Sequence, residues 1–346
     1  MAQREREPRE HHRVRVELDG GAATRVPPPT RDDVGAARAT IAGRLHRTPV
    51  FSSATLGALV GASVFLKAEL FQRTGSFKPR GVLNRLASLT PEEKACGVIG
   101  ISAGNHAQAL AYCAALEDVD CLVVMWKGAS AAKLEATRGY GAAVDLEAGG
   151  PADAFDRLAQ LIEETGRTLV HPFDDPLVIA GQGTVGLELV EEVPETELVV
   201  VPVGGGGLVS GVATAVDARV IAVEPERSAA LHEALLAGRP VALTPESIAD
   251  GLNAPFAGEH PIAICRARGV ESVLVTDEEI GAGMRFLYAR AKLACEPAGA
   301  AGVAALLAGK VPLDGASTVA VIVSGGNVDP EKASAILSRD EGRNPS

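Results

Sequence analysis

The chain has 346 residues, of which 33 are Lys or Arg and 44 are Asp or Glu, for a net charge of −11. A globule of this length buries roughly three quarters of its unfolded surface, so it needs no staples, and its acidic balance repels nucleic-acid backbones. Its five cysteines show no C-x-x-C pair and no zinc spacing, and no apolar run reaches signal-peptide or membrane-spanning character, so the expectation is a disulfide-free protein of the cytoplasm without membrane contact.

Residues 1–29 are polar, carry seven Arg and five acids together with the two residues that follow, and end in three prolines, the pattern of a disordered arm. From Thr30 the pattern changes. Thr30 and Asp33 form a capping box ahead of a helix whose apolar face carries Val34, Ala37, Ile41 and Leu45. Apolar runs then recur at 63–68, 97–102, 121–126, 197–203, 219–224, 272–276 and 318–324, most of them separated by helical patterns. Strands that are apolar throughout, joined by helices, predict an α/β protein with parallel sheets covered on both faces.

In such sheets ligands collect where strand ends meet helix starts, so the turns carry the chemistry. "TGSFKPRG" at 74–81 places Lys78 just inside a Gly-Ser turn, in a chain that otherwise meets its need for positive charge with arginine: 25 Arg against eight Lys. Ser76 is expected to cap a helix starting at Phe77, which puts Lys78 in the first turn, where the helix dipole and burial both lower its pKa. "SAGNHAQ" follows the run at 97–102. Gly204, Gly205, Gly206 and Gly207 follow the run at 197–203 and precede a helix, so consecutive backbone N–H groups can wrap an anion there. An activated lysine and a phosphate cradle together suit an aldehyde cofactor such as pyridoxal 5'-phosphate.

Five stretches, "KAELFQRTGSFKPRG", "SAGNHAQALA", "VPVGGGGLVSG", "EPAGA" and "SGGNVD", resemble the serine/threonine dehydratases among the tryptophan-synthase-β-like, fold type II pyridoxal-phosphate enzymes, in that family's order and spacing over roughly residues 30–335. The resemblance implies two open, mostly parallel twisted sheets covered by helices, with the cofactor in the cleft between a large domain (30–88 and 171–335) and a small one (89–170), and a tail from 336 to 346. It makes Lys78 the Schiff-base lysine and base, with Phe77 packed near the ring. Asn105 then bonds the phenolic oxygen, Gly204 to Gly207 hold the phosphate, and Ser324 faces the pyridine nitrogen. Ser102, Gly104, Asn105 and His106 surround the carboxylate of a small hydroxy amino acid, with His106 contributing main chain rather than acting as a base. The implied reaction is dehydration and deamination of L-threonine or L-serine to 2-oxobutanoate or pyruvate plus ammonia. A homo-oligomer, dimer or tetramer, is the family's habit.

Several positions sharpen or qualify this resemblance. Ala103 stands where related racemases carry a second serine, which weighs against serine racemisation; threo-3-hydroxyaspartate dehydration and β-replacement stay open as alternatives. Glu224 fits the first ligand of the metal-dependent relatives, but Ala230 occupies the second position, so no tight divalent site is expected. Glu296 reads either as a capping group or as a carboxylate behind the site. The chain ends 22 residues after Ser324, so no C-terminal regulatory domain of the isoleucine-inhibited kind is expected.

Overall fold

A computed structural model describes residues 26–339; of the arm expected over residues 1–29 all but the last four residues lie outside them, as does the tail beyond 339. The ten strands are β1 (Val50–Ser52), β2 (Ser63–Ala68), β3 (Val98–Ile101), β4 (Cys121–Trp126), β5 (Ala143–Ala148), β6 (Thr168–Leu169), β7 (Leu198–Pro202), β8 (Arg219–Pro225), β9 (Glu271–Val275) and β10 (Thr318–Val323). They form a six-stranded sheet, β1-β2-β10-β7-β8-β9, and a four-stranded one, β5-β4-β3-β6. Only the β1–β2 pair is antiparallel among them.

The apolar strands are buried from both sides. Leu198 and Val200 of β7, with Val319, Val321 and Val323 of β10, enter one core; Val199, Val201, Ala320 and Ile322 face the other. The four-stranded sheet repeats the arrangement, with Val98 and Val123 on one side and Ile99, Ile101 and Val124 on the other. Three strands lie outside the apolar runs of the sequence for physical reasons. β1 has three residues on an edge, β6 has two, and β5 is a half-buried edge strand whose apolar residues are interrupted by Asp145 and Glu147.

Thr30 and Asp33 form the anticipated capping box, but the helix stops at Ile41, before Leu45. Residues 336 and 337, grouped with the tail by the sequence, complete the helix Pro330–Leu337, because Ile336 is buried in the core. The expected cap at Ser76 is replaced by another arrangement. The helix begins at Pro79, with Lys78 in the N-cap position, since proline is favoured in the first helical residue. Ser76 is extended and bridges Gly325 in antiparallel fashion, while the Phe77 N–H donates to the Ser324 carbonyl at 3.2 Å and the Gly326 N–H to the Gly75 carbonyl at 2.9 Å. Two loops at the carboxyl edge of the large sheet are thereby laced together.

Beneath that lacing lies a buried ion cluster. The Arg80 guanidinium donates to Glu69 at 2.8 and 2.9 Å and to Glu188 at 2.7 and 2.8 Å, and the Lys67 ammonium donates to Glu188 at 2.8 Å and to the Thr48 carbonyl at 2.7 Å. Two cations and two anions cancel, and the paired geometry satisfies charges that would be costly to bury alone. The cluster ties the helix Pro79–Ala87 to β2 and to the helix Pro176–Glu192. Removing one partner strands the others in the core, so Arg80→Met should destabilise the protein by about 3–5 kcal/mol, read as a lowered midpoint of urea unfolding. Arg80→Lys should recover only a small part, because an ammonium cannot pair two carboxylates side by side.

Candidate active site

Parallel register brings the site together. Ile322 and Val323 of β10 stand opposite Lys67 and Ala68 of β2, and Val321 stands opposite Val200 of β7, so the three strands end side by side. Out of those ends run the Lys78 segment, Ser324 and the glycine loop. The turn after β3 approaches from the smaller sheet. One pocket is lined by Phe77, Lys78, Asn105, Gly204, Gly205, Gly206, Gly207 and Ser324, together with Phe173, Leu252 and Glu296.

Lys78 enters this pocket as a buried amine. Its Nζ donates to the Pro172 carbonyl at 2.9 Å and lies 5.1 Å from the centre of the Phe77 ring. Burial pulls its pKa down to about 8, against the opposing pull of the Glu296 carboxylate, so a useful fraction of the amine is neutral and nucleophilic near neutral pH. The sequence anticipated the direction of this shift.

The four glycines are closely packed. A Cβ on Gly205 would sit 2.3 Å from the Phe173 ring, and one on Gly206 would sit 2.6 Å from Pro261 Cβ. Gly206 also has φ +96°, in the left-handed region that only glycine enters freely, and is the N-cap of the helix Gly207–Ala215. Backbone therefore approaches the pocket directly, with a helix amino terminus behind it, which is the chemistry of a phosphate cradle.

Asn105 begins the helix Asn105–Leu116, with Gly104 as its N-cap. Its Nδ2 donates to Glu296 Oε1 at 2.6 Å, and its Oδ1 accepts from Asn327 Nδ2 at 2.9 Å. Ser102 Oγ accepts from the Gly104 N–H at 3.0 Å, so it shapes the turn at the same helix start. Ser102 and Gly104 are half-buried and stand beside the pocket rather than in its wall. His106 points away into the core, where its Nε2–H donates to the Val170 carbonyl at 2.9 Å; burial, and then the Lys78 charge, push its pKa down to about 3. It is therefore neutral, and its ring serves the fold. Ser324 is buried in the pocket wall.

Two carboxylates resolve differently. Glu224 accepts from the Leu231 and His232 N–H groups at 2.7 and 2.8 Å and from Ser272 Oγ at 2.8 Å, so it caps the start of the helix Ala230–Ala237. Glu296 occupies the N-cap position of the helix Pro297–Leu307, yet its side chain makes no cap bond and turns to Asn105 instead. Of its two sequence readings, the carboxylate behind the site is the one the geometry matches. Burial, and then Asp250, push its pKa up to about 7, while Asn105, Lys133 and Lys332 hold it down.

Sequence reasoning missed Phe173, Leu252 and Asn327. Phe173 follows β6, and a two-residue strand leaves no apolar run to direct attention to the turn after it.

Comparison with known proteins adds relationships. Residues 41–325 match the family model described as pyridoxal-phosphate dependent enzyme. The chain is 40% identical over 316 residues to an L-threonine ammonia-lyase of Thermotoga maritima, spanning 90% of this chain and 78% of that protein. Among solved structures it is similar to maize serine racemase, with a TM-score of 0.85 and 37% identity over 89% of this chain and 96% of that one. It is likewise similar to the processed form of threonine deaminase isoform 2 from Solanum lycopersicum, with a TM-score of 0.80 and 31% identity over 90% of this chain and 95% of that one.

Two outcomes follow from this geometry. Gly205→Ala forces a methyl into the Phe173 ring or the loop into the pocket, an overpacking of about 1–3 kcal/mol, so affinity for pyridoxal phosphate measured by titration should fall roughly ten- to a hundredfold. Lys78 must be neutral to attack an aldehyde, and its neutral fraction rises with pH. Aldehyde capture by the cofactor-free protein should therefore be half-maximal near pH 8. Glu296→Gln removes the charge that favours the ammonium, so this midpoint should move below 8; a move upward would contradict the assignment.

Proposed function

The chain belongs to the pyridoxal-phosphate-dependent enzyme family, and on that premise we propose that it is an ammonia-lyase converting L-threonine, L-serine or both to 2-oxobutanoate or pyruvate plus ammonia. The observation that carries this reading is the buried Lys78 amine, depressed to about 8, sharing one pocket with the glycine cradle and Ser324. The name and 40% identity of the Thermotoga maritima relative support it.

The residues fit the cofactor. A loop in which a Cβ would strike Phe173 or Pro261 leaves only backbone to face a phosphate, so Gly204, Gly205, Gly206 and Gly207 are the groups that would hold it. Lys78 is the residue to join its aldehyde, with Phe77 beside the ring. Asn105 would donate to the ring oxygen, and Ser324 would face the ring nitrogen. Bound there, the cofactor supplies an electron sink for bonds broken at the substrate's α-carbon.

The chain's own residues do the rest. The N–H groups of the turn 102–106, at the start of a helix, orient the substrate carboxylate. Lys78, as a free amine, would take the α-proton, for which a pKa near 8 is well placed. Ser324 offers a hydroxyl where a carboxylate would hold a proton on the ring nitrogen, which favours loss of a β-substituent over transamination. The turn follows β3 of the smaller sheet and Lys78 comes after β2 of the larger, so a small domain over 89–170 closing on the remainder would exclude water from the site.

Serine racemisation is the second reading, favoured by the similarity to maize serine racemase. Ala103, between Ser102 and Gly104, brings no hydroxyl to deliver a proton to the opposite face, so the lyase reading takes precedence. Among the described residues no helix is long and apolar enough to cross a membrane. Four of the five free cysteines are buried, which supports a cytoplasmic setting. The exposed Phe51–Phe71 pair supports self-association into a homo-oligomer, and the net charge of −11 argues against nucleic acid as a partner.

Incubating the yellow holoprotein with L-threonine, L-serine and threo-3-hydroxyaspartate, and measuring oxo acid and ammonia, should give product from at least one of the first two. Oxo acid from none of the three would refute the lyase reading. Lys78→Ala should lower turnover by at least about a thousandfold.

A further inference from the structure

Beside Gly325 the side chains form a string with a direction. Asn327 Nδ2 donates to the Thr74 carbonyl at 2.7 Å and to Asn105 Oδ1 at 2.9 Å, and Asn105 Nδ2 donates to Glu296 Oε1 at 2.6 Å. A backbone carbonyl can only accept, so the end of the Asn327 amide that meets Thr74 is its NH2 group. The second hydrogen of that group points at Asn105, and the atom it meets must be an oxygen. The NH2 group of Asn105 is thereby turned the other way, toward Glu296 and the pocket. Glu296 takes one of its two N–H bonds, and the other is available to a ligand acceptor.

The string exists because Gly325 has no side chain. A Cβ there would stand 2.3 Å from Glu296 Oε1 and 3.3 Å from Asn105 Nδ2. The direction matters because an amide flipped by half a turn keeps almost the same shape while exchanging donor for acceptor. A flipped Asn105 would present a carbonyl oxygen to an oxygen-bearing ligand, exchanging attraction for repulsion.

We propose that Asn327 and Glu296 are positioning residues that lock the amide of Asn105 so that its N–H, and not its carbonyl oxygen, meets the ring oxygen of the bound cofactor. The proposal rests on the assignment of Asn105 to that oxygen made above. It adds the reason Asn105 can be relied on to donate.

The test uses Asn327→Asp, which keeps the shape but replaces the donating amide by a carboxylate that only accepts. Dissociation constants are measured by absorbance titration of the full chain stripped of cofactor, with pyridoxal phosphate and with its 3-deoxy analogue, which lacks the ring oxygen. The unaltered protein should favour the natural cofactor by about tenfold or more, the value of one hydrogen bond to a charged acceptor. Asn327→Asp should lose most of that preference while binding the 3-deoxy analogue within about threefold of the unaltered protein. Gly325→Ala, which parts the Glu296–Asn105 end, should lose the same preference and provides the second measurement if Asn327→Asp does not fold. Retained preference in both variants overturns the proposal. So does equal weakening of both ligands, the mark of a merely structural role. If the unaltered protein shows no preference, the assignment of Asn105 falls and the proposal with it, whereas oxo-acid formation tests the lyase reading independently.

Discussion

A buried amine, Lys78, is the feature around which the pocket is arranged. Water would hold Lys78 protonated; the pocket removes that water and brings the pKa to about 8. Burial alone would leave a long, flexible side chain without a fixed position, so its backbone has to be immobilised from both sides. Ahead of it, the Ser76–Gly325 bridge and the Phe77 N–H to Ser324 carbonyl bond lace the segment to the end of β10. Behind it, Pro79 starts the helix and Arg80 anchors it through Glu69 and Glu188. The charged cluster under the site thus has a mechanical use. It fixes a chain position two residues from the Lys78 amine, which a purely apolar contact would define less sharply.

The same logic explains why the pocket belongs to two sheets. Lys78, Ser324 and the glycine loop issue from strands of the large sheet that end in register, so their spacing is set by backbone hydrogen bonds and not by side-chain packing. Asn105 arrives from the small sheet on the turn after β3. The larger sheet therefore carries the amine and the glycine loop, and the smaller one carries Asn105. A salt bridge from Lys133 of the helix Ala131–Gly139 to Asp250, next to pocket residues Gly251 and Leu252, couples the two halves, and Lys332 of the helix Pro330–Leu337 meets the same carboxylate from the large-sheet side.

Much of this was legible in the sequence because the features are local. Strands buried on both faces are apolar runs whatever their topology, and seven of the ten strands coincide with such runs to within a residue at either end. Lys78 and the four glycines announce themselves by chemistry and conformation at single positions. What was not legible depends on partners distant in the chain. Phe173 packs against the glycine loop, but it follows a two-residue strand held only by pairing with β3 among the described residues. Asn327 orients Asn105 across 222 positions of sequence. The helix start was misread because Ser76 is a good cap by type, while its backbone is committed to pairing with Gly325, a contact that outweighs local capping preference.

Glu224 and Glu296 show why a perturbed acid is a weak guide until its partners are known. Both are buried, and burial pushes each to a pKa of about 7. A search for shifted groups would rank them together. Glu224, however, receives two backbone N–H bonds from a helix start and a hydroxyl from Ser272, which accounts for its lone pairs within the fold and leaves it a structural cap. Glu296 receives a single side-chain bond, from Asn105, and shares the pocket with Lys78. Its charge therefore acts on the two groups that matter there: it opposes the loss of the Lys78 proton, and it takes one N–H of Asn105 while directing the other. The two acids differ in what their oxygens are bonded to, and that difference, not the size of either shift, separates a group that holds the fold from one that tunes the site.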